Sequence, residues 1–182
     1  MEQKISDILS KLEKTRGEYW NVPKSTGQLL NALVRLLEAE KVLEIGTSNG
    51  YSGIHLAQAL AEKGGMLFTV ESHQERYEEA ENNFKDAGLT DFITQIKGHA
   101  PEVLGEINEK FDLVFLDATK IEYQSYFDAI LPKLIKDGVI IADNCISHEE
   151  DLGEFLEGVE KDERVESTLI KVDNGLLLCV KL

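Results

Sequence analysis

From Lys41 to Ala142 short apolar runs alternate with stretches of helical periodicity, and this alternation leaves few folds open. Val42–Ile45, Met66–Val70, Phe92–Lys97, Phe111–Leu116 and Val139–Ala142 read as strands. Between and after them, Tyr51–Ala61, Gln74–Ala87 (ending at Gly88), Pro101–Ile107, Tyr123–Ile135 (closed by Asp137-Gly138) and His148–Lys161 read as helices. Successive β–α units require a mostly parallel sheet covered by helices on both faces. Val165–Val172 and Leu176–Lys181 then flank Asp173-Asn174-Gly175, a hairpin signal that adds two strands, at least one of them antiparallel. The expectation is an α/β, Rossmann-like fold with a seven-stranded sheet and a C-terminal antiparallel hairpin.

Two helices precede this pattern. Ile5, Ile8, Leu9 and Leu12 recur at helical spacing, and Asn21-Val22-Pro23 interrupts the helix because proline disfavours helical backbone just before it. Thr26–Glu40 reads as a second helix with Leu29, Leu33, Leu36 and Leu37 on one face. The 182 residues fit one domain, 1–182, in which residues 1–40 are expected to form part of a lid over a ligand site. No apolar run approaches the roughly 20 residues of a membrane span, and the N-terminus lacks the unbroken apolar core of a signal peptide. Cys145 and Cys179 are far apart and lack metal-type spacing, which reads as a reduced, cytoplasmic protein. A net charge of −15 repels nucleic-acid phosphates, and no Lys/Arg cluster offsets it.

In open α/β sheets, ligands bind beyond the carboxyl ends of the strands. The first strand breaks at Gly46-Thr47-Ser48-Asn49-Gly50. This G-x-x-x-G is neither the G-x-G-x-x-G that cradles a pyrophosphate nor a P-loop, since no Gly-Lys-Ser/Thr follows. Glu44, two residues before the turn, would repel a pyrophosphate and meet a cationic ligand instead. Glu71 ends the second strand at the spacing of a ribose-binding acid. A ribose, no phosphate and a positive charge describe S-adenosylmethionine; a generic βαβ turn with an incidental Glu44 is the other reading.

Two further strands end in acid. Phe111–Leu116 runs into Asp117-Ala118-Thr119-Lys120, and Val139–Ala142 runs into Asp143-Asn144. Two Asp and one Asn on the same rim as Gly46 offer hard oxygen ligands for Mg²⁺. Such an ion orients adjacent substrate oxygens and acidifies a hydroxyl. Lys120 lies close by as a candidate base. Each alone reads more simply as a strand-end cap or a solvated charge; together they point to a metal site.

With these residues in view, the chain resembles the cation-dependent class I O-methyltransferases, the group of catechol and caffeoyl-CoA O-methyltransferases. The motifs that carry the resemblance are NVPKSTGQLL, VLEIGTSNGYS, VES, GHAPEVL, FLDATKIEYQSYF and GVIIADN. The resemblance implies a class I methyltransferase fold and roles for matching positions. Val22 would contact the methionine end of S-adenosylmethionine, and Glu44, Gly46, Thr47 and Ser52 its amine and carboxylate. Glu71 would hold the ribose, and Ala100 would lie on the adenine side. Asp117, Asp143 and Asn144 would be metal ligands, with Asp117 also beside the cofactor, and Lys120 the base. Departures lie at Cys145-Ile146-Ser147-His148, where the family has part of its acceptor pocket, and at His99. His148 reads as a helix cap or a solvent-facing residue, His55 and His73 as surface residues, and Tyr123 and Tyr126 as helix-face packing. Trp20 either packs near the reactive methyl or anchors the first helix.

The resulting expectation is methyl transfer from S-adenosylmethionine, assisted by a divalent cation, to a hydroxyl of a small aromatic acceptor with vicinal oxygens. A tRNA hydroxyuridine O-methyltransferase and a non-catalytic cofactor-binding module are the alternatives, and a homodimer is an assembly the resemblance allows. A nicotinamide dehydrogenase is disfavoured by the missing glycine.

Overall fold

The computed structural model describes residues 2–182. Its seven strands are β1 (Lys41–Ile45), β2 (Met66–Glu71), β3 (Ile93–Lys97), β4 (Phe111–Leu116), β5 (Leu134–Ala142), β6 (Val165–Ile170) and β7 (Leu176–Lys181). They form one sheet in the order β3-β2-β1-β4-β5-β7-β6. The first five pair in parallel, and β7 runs antiparallel between β5 and β6. The order reverses between β1 and β4, so the crevice beyond their carboxyl ends is the switch point where ligands bind in such sheets.

The helices are α1 (Glu2–Glu13), α2 (Arg16–Tyr19), α3 (Lys24–Leu36), α4 (Tyr51–Ala61), α5 (Gln74–Ala87), α6 (Ala100–Val103), α7 (Tyr123–Ile130) and α8 (Glu149–Glu160). Glycines in left-handed backbone set the ends of two of them. Gly50 (φ 87°) precedes α4, and Gly88 (φ 72°) closes α5 with its N–H on the Phe84 and Lys85 carbonyls. The core lies on both faces of the sheet: Leu43, Val114 and Phe127 belong to one side, Val42, Leu113 and Phe84 to the other. Among the described residues no helix is long and apolar enough to cross a membrane.

Several local expectations need correction. α3 starts directly after Pro23 and ends at Leu36, and it turns Thr26, Gly27, Leu30 and Val34 inward instead of the leucine-rich stripe. The cause is the fit to α4: a β-carbon on Gly27 would lie 2.5 Å from the His55 ring, so the small residue marks the contact face and Leu36 is left 79% exposed. His55 is accordingly buried rather than on the surface. The helix after Tyr123 ends at Ile130, because Pro132 diverts the chain into a short 3-10 turn. Asp137-Gly138 closes no helix; it sits inside β5, whose register against β4 shifts between Phe111 and Leu113. The short helix expected at Pro101–Ile107 spans only Ala100–Val103.

Candidate active site

The carboxyl ends of β1, β2 and β4 open onto a cavity of about 930 Å³. Val22, Gly46, Thr47, Ser52, Glu71 and Ala100 line it, together with Asp117, Lys120 and Asn144. The segment between α1 and α3 also reaches it, through Arg16, Tyr19, Trp20 and Asn21. Glu44 and Asp143 stand one layer behind the wall, both almost wholly buried.

The glycine turn is shaped by its neighbours. Gly46 has φ 103°, and its N–H and that of Thr47 both donate to the Val70 carbonyl. This fastens the turn to β2. Beneath it, Thr69 Oγ1 donates to Glu44 Oε2 at 2.6 Å, and Thr47 and Thr69 share a hydroxyl contact of 2.5 Å. Glu44 Oε1 is buried without a partner among the described residues. Burial pushes the Glu44 carboxyl up to about 7, ahead of the contributions of Asp117 and Glu71. A buried carboxylate with an idle oxygen is the feature that a cationic ligand group would compensate.

Glu71 is held by two backbone donors, Ser48 N–H to Oε2 and His73 N–H to Oε1, each at 2.8 Å. Each oxygen keeps a lone pair for a ligand hydroxyl.

At the other end, Lys120 Nζ donates to Asp117 Oδ1 at 2.8 Å and to the Tyr123 hydroxyl at 3.1 Å. That hydroxyl lies 3.2 Å from both the Leu116 and the Asp143 carbonyls, so Tyr123 pins the ends of β4 and β5 together. Asp143 is 1% exposed, and its Oδ1 has no partner among the described residues. Burial, then the nearby charge of Asp117, raises its carboxyl to about 7. Among the described residues no three His, Cys, Asp or Glu side chains converge on one point. The candidate donor set is therefore two carboxylates and the Asn144 amide. Its fit to a hard cation rests on the idle Asp143 oxygen beside a second carboxylate.

Other expectations for the surroundings of the site are settled residue by residue. Tyr123 packs on its helix, as expected, and its hydroxyl holds Lys120 from behind the wall, whereas Tyr126, expected only to pack, lines the cavity. Trp20 does not anchor the first helix: it is 73% exposed, left-handed at φ 53°, and its ring lies 4.8 Å from the Arg76 guanidinium carbon. His148 faces solvent at the cavity edge and makes no side-chain cap; its Nδ1 lies 3.0 Å from Ser147 Oγ. Asn174 arrives from the tip of the β6–β7 hairpin. The proline and glycines around these positions signalled turns, but not that the turns meet.

A family model described as O-methyltransferase matches residues 2–182. A caffeoyl-CoA O-methyltransferase from Populus kitakamiensis is 33% identical over 186 positions, covering 89% of this chain and 78% of that protein. A catechol O-methyltransferase from Niastella koreensis is 37% identical over 131 positions, covering 69% of this chain and 58% of its own. Among solved structures, the O-methyltransferase from Bacillus cereus in complex with SAH superposes with a TM-score of 0.86 at 27% identity, covering 99% of this chain and 91% of that one. The parallel sheet, the Gly46 turn at its switch point and a match along the whole described chain converge: the chain belongs to the O-methyltransferase family.

Proposed function

We propose that the protein transfers the methyl group of S-adenosylmethionine to a hydroxyl of a small catechol-like acceptor, assisted by a divalent cation, most simply Mg²⁺. The observation that carries this reading is the buried, unpartnered Asp143 oxygen behind a rim that also holds Asp117, Lys120 and Asn144. The names of the relatives, caffeoyl-CoA and catechol O-methyltransferases, agree with an acceptor bearing vicinal oxygens. The SAH complex of the Bacillus cereus protein supports the cofactor.

In this reading Glu44 balances the charge of the methionyl amine, with Val22, Gly46, Thr47 and Ser52 around the same end. Glu71 takes the ribose hydroxyls, and Ala100 flanks the base. Residues 1–40 serve as part of the lid, through the segment from Arg16 to Val22. Asp117, Asp143 and Asn144 would hold the cation, which supplies chelation of two adjacent acceptor oxygens and a lowered hydroxyl pKa. Lys120, fixed between Asp117 and Tyr123, assists removal of the acceptor proton and steadies the phenolate by charge. The oxygen then attacks the methyl carbon as the carbon–sulfur bond breaks, giving the methyl ether and S-adenosylhomocysteine. The protein's main contribution is to hold nucleophile, methyl and sulfur in line.

The test is methylation of catechol by S-adenosylmethionine with and without EDTA, next to calorimetry with S-adenosylhomocysteine. Turnover that stops on chelation and returns with Mg²⁺ supports the reading. Turnover indifferent to EDTA removes the metal, and no binding of S-adenosylhomocysteine removes the cofactor.

A further inference from the structure

Three stretches of chain that are far apart in sequence meet at the Asp173-Asn174-Gly175 turn between β6 and β7. Asp173 Oδ2 accepts the hydroxyls of Ser25, at 2.5 Å, and Thr26, at 2.9 Å, both in the first turn of α3. Thr26 is wholly buried, and leaving such a hydroxyl without a partner costs free energy, so this latch is not idle. Asp173 has left-handed backbone (φ 49°), which Asp and Asn accept more readily than most residues with a side chain. On its other side the turn meets the loop after β5. The Asn174 carbonyl accepts the N–H groups of Ile146 and Ser147, each at 3.0 Å, and the Gly175 carbonyl accepts that of Cys145 at 2.9 Å. A β-carbon on Gly175 would lie 2.7 Å from Ile146 N, so turn and loop are in direct backbone contact.

The turn thereby joins the two sides of the cavity mouth. On one side α3 continues from Asn21-Val22-Pro23, and Asn21 and Val22 line the cavity. On the other side the Cys145–Ser147 loop continues from Asn144, which lines it too. We propose that Asp173 is a positioning residue: through Ser25 and Thr26 it fastens the turn to α3, and so holds the loop that presents Asn144 at a fixed separation from the Val22 wall. Asp173 stands outside the cavity wall and acts through the backbone it fixes. The proposal rests on the methyl-transfer reading given above, in which Asn144 is a cation ligand.

The loop depends on the turn for its place. β5 ends at Ala142, so the sheet does not set the orientation of Asn144, whose backbone is left-handed at φ 67°. Its Nδ2 reaches Ser147 Oγ at 3.4 Å, a long bond within the same loop. The next three backbone N–H groups, of Cys145, Ile146 and Ser147, all end on the turn. The turn in its own right lies past the last ladder pair of the hairpin, Ile170 with Leu176, and its side-chain hydrogen bonds are those from Ser25 and Thr26. Replacing a residue that orients a metal ligand from behind typically costs 10–100-fold in metal affinity. Asp173 is exposed and acts at one further remove, so a smaller loss, about fivefold, is expected.

The experiment measures Mn²⁺ binding by electron paramagnetic resonance, on protein loaded with S-adenosylhomocysteine. It compares the wild type with Asp173→Ala, with Asp173→Asn and with the double variant Ser25→Ala, Thr26→Val. Asp173→Asn keeps an oxygen for both hydroxyls and suits left-handed backbone. The double variant breaks the same two bonds and leaves the turn intact, so backbone strain in Asp173→Ala does not decide the outcome. The Mn²⁺ dissociation constant should rise about fivefold in Asp173→Ala and in the double variant, and stay within about twofold of the wild type in Asp173→Asn. Combining Asp173→Ala with the double change should add nothing, because both remove one interaction. The Mg²⁺ concentration for half-maximal methylation of catechol should rise by the same factor. Unchanged Mn²⁺ affinity in Asp173→Ala and the double variant, even with a lower melting temperature, makes the latch a stabilising contact only and overturns the proposal. An equal loss in Asp173→Asn assigns the effect to charge and overturns it as well. A wild-type protein that binds S-adenosylhomocysteine but no Mn²⁺ overturns the cation reading and this proposal together.

Discussion

The carbonyl oxygen of Asp117 occupies the space that a side chain on Gly46 would need: a β-carbon built there lies 2.1 Å from that oxygen and 2.7 Å from its carbon. The clash is with backbone at the end of β4, which is fixed by the Asp117 N–H bond to the Ile45 carbonyl. The glycine turn and the first candidate metal ligand are therefore one packed unit. Gly46→Ala meets both this contact and a φ of 103°, which side-chain-bearing residues rarely adopt. The expected result is a melting temperature lower by several degrees and a loss of S-adenosylhomocysteine binding of at least about tenfold, read by calorimetry. Wild-type affinity in this variant would show that β4 yields easily, contrary to the geometry.

Glu44 gives a pH signature. Its carboxyl titrates at about 7 in the folded chain, against 4.5 for an ordinary glutamate, chiefly because of burial. The folded state therefore holds the proton more tightly than the unfolded state. That contribution to stability is complete below about pH 4.5 and is lost as pH rises through about 7. Glu44→Gln removes the loss. The ligand-free variant should match the wild type near pH 4.5 and melt higher at pH 8, by roughly 10 °C: a shift from 4.5 to about 7 is worth about 3 kcal/mol, on the scale of about 2–4 °C per kcal/mol for a chain of this size. Asp143 titrates in the same window, so the difference between variant and wild type isolates Glu44. The same variant should lose affinity for S-adenosylhomocysteine at pH 8, because the amine would face a neutral amide. Melting curves that stay parallel from pH 4.5 to 8 would contradict the burial argument.

Lys120 separates chemistry from binding. Its side chain is 15% exposed and reaches only the Asp117 and Tyr123 end of the cavity. Lys120→Met keeps much of the side-chain volume and removes the charge. Turnover of catechol should fall about 10²–10⁴-fold, the usual range for a positioned proton-transfer group. Affinity for S-adenosylhomocysteine should stay within about twofold. A variant that loses cofactor affinity and turnover in equal measure would make Lys120 a structural ion-pair partner.

What the sequence discloses and what it hides follow from the same physics. Tyr51–Ala61 and Gln74–Ala87 were legible to the residue, because Gly50 and Gly88 mark backbone that a helix cannot continue through. The rim was legible because a parallel sheet delivers every strand's carboxyl end to one side, so Gly46, Glu71, Asp117 and Asp143 had to be neighbours. The buried face of α3 was not legible, since leucines outnumber the Gly27 and Thr26 that make the contact and nothing local announces His55 as their partner. Asp137-Gly138 resembled a helix stop because the same left-handed backbone serves a strand irregularity. Tyr123 and Asn174 entered the site through tertiary packing, one from beneath β4 and β5 and the other from the far end of the chain.

Trp20 lies at the cavity mouth on the segment that follows α2, with the Arg76 guanidinium of α5 over its ring at 4.8 Å. Ser48 Oγ donates to the Tyr19 carbonyl at 2.9 Å, a second tie between this segment and the glycine turn. An exposed cation–π contact is worth about 0.5–1 kcal/mol, which corresponds to a rate factor of roughly 2–5. Trp20 is also the only tryptophan in the chain, so its fluorescence reports the mouth directly. Stopped-flow displacement of S-adenosylhomocysteine should show release from Arg76→Ala about 2–5 times faster than from the wild type. Arg76→Lys, which keeps a cation without the planar stacking surface, should fall between them. Identical release rates in all three proteins would mean that the mouth opens elsewhere, and that the Arg76–Trp20 pair is a surface contact without a part in holding the cofactor.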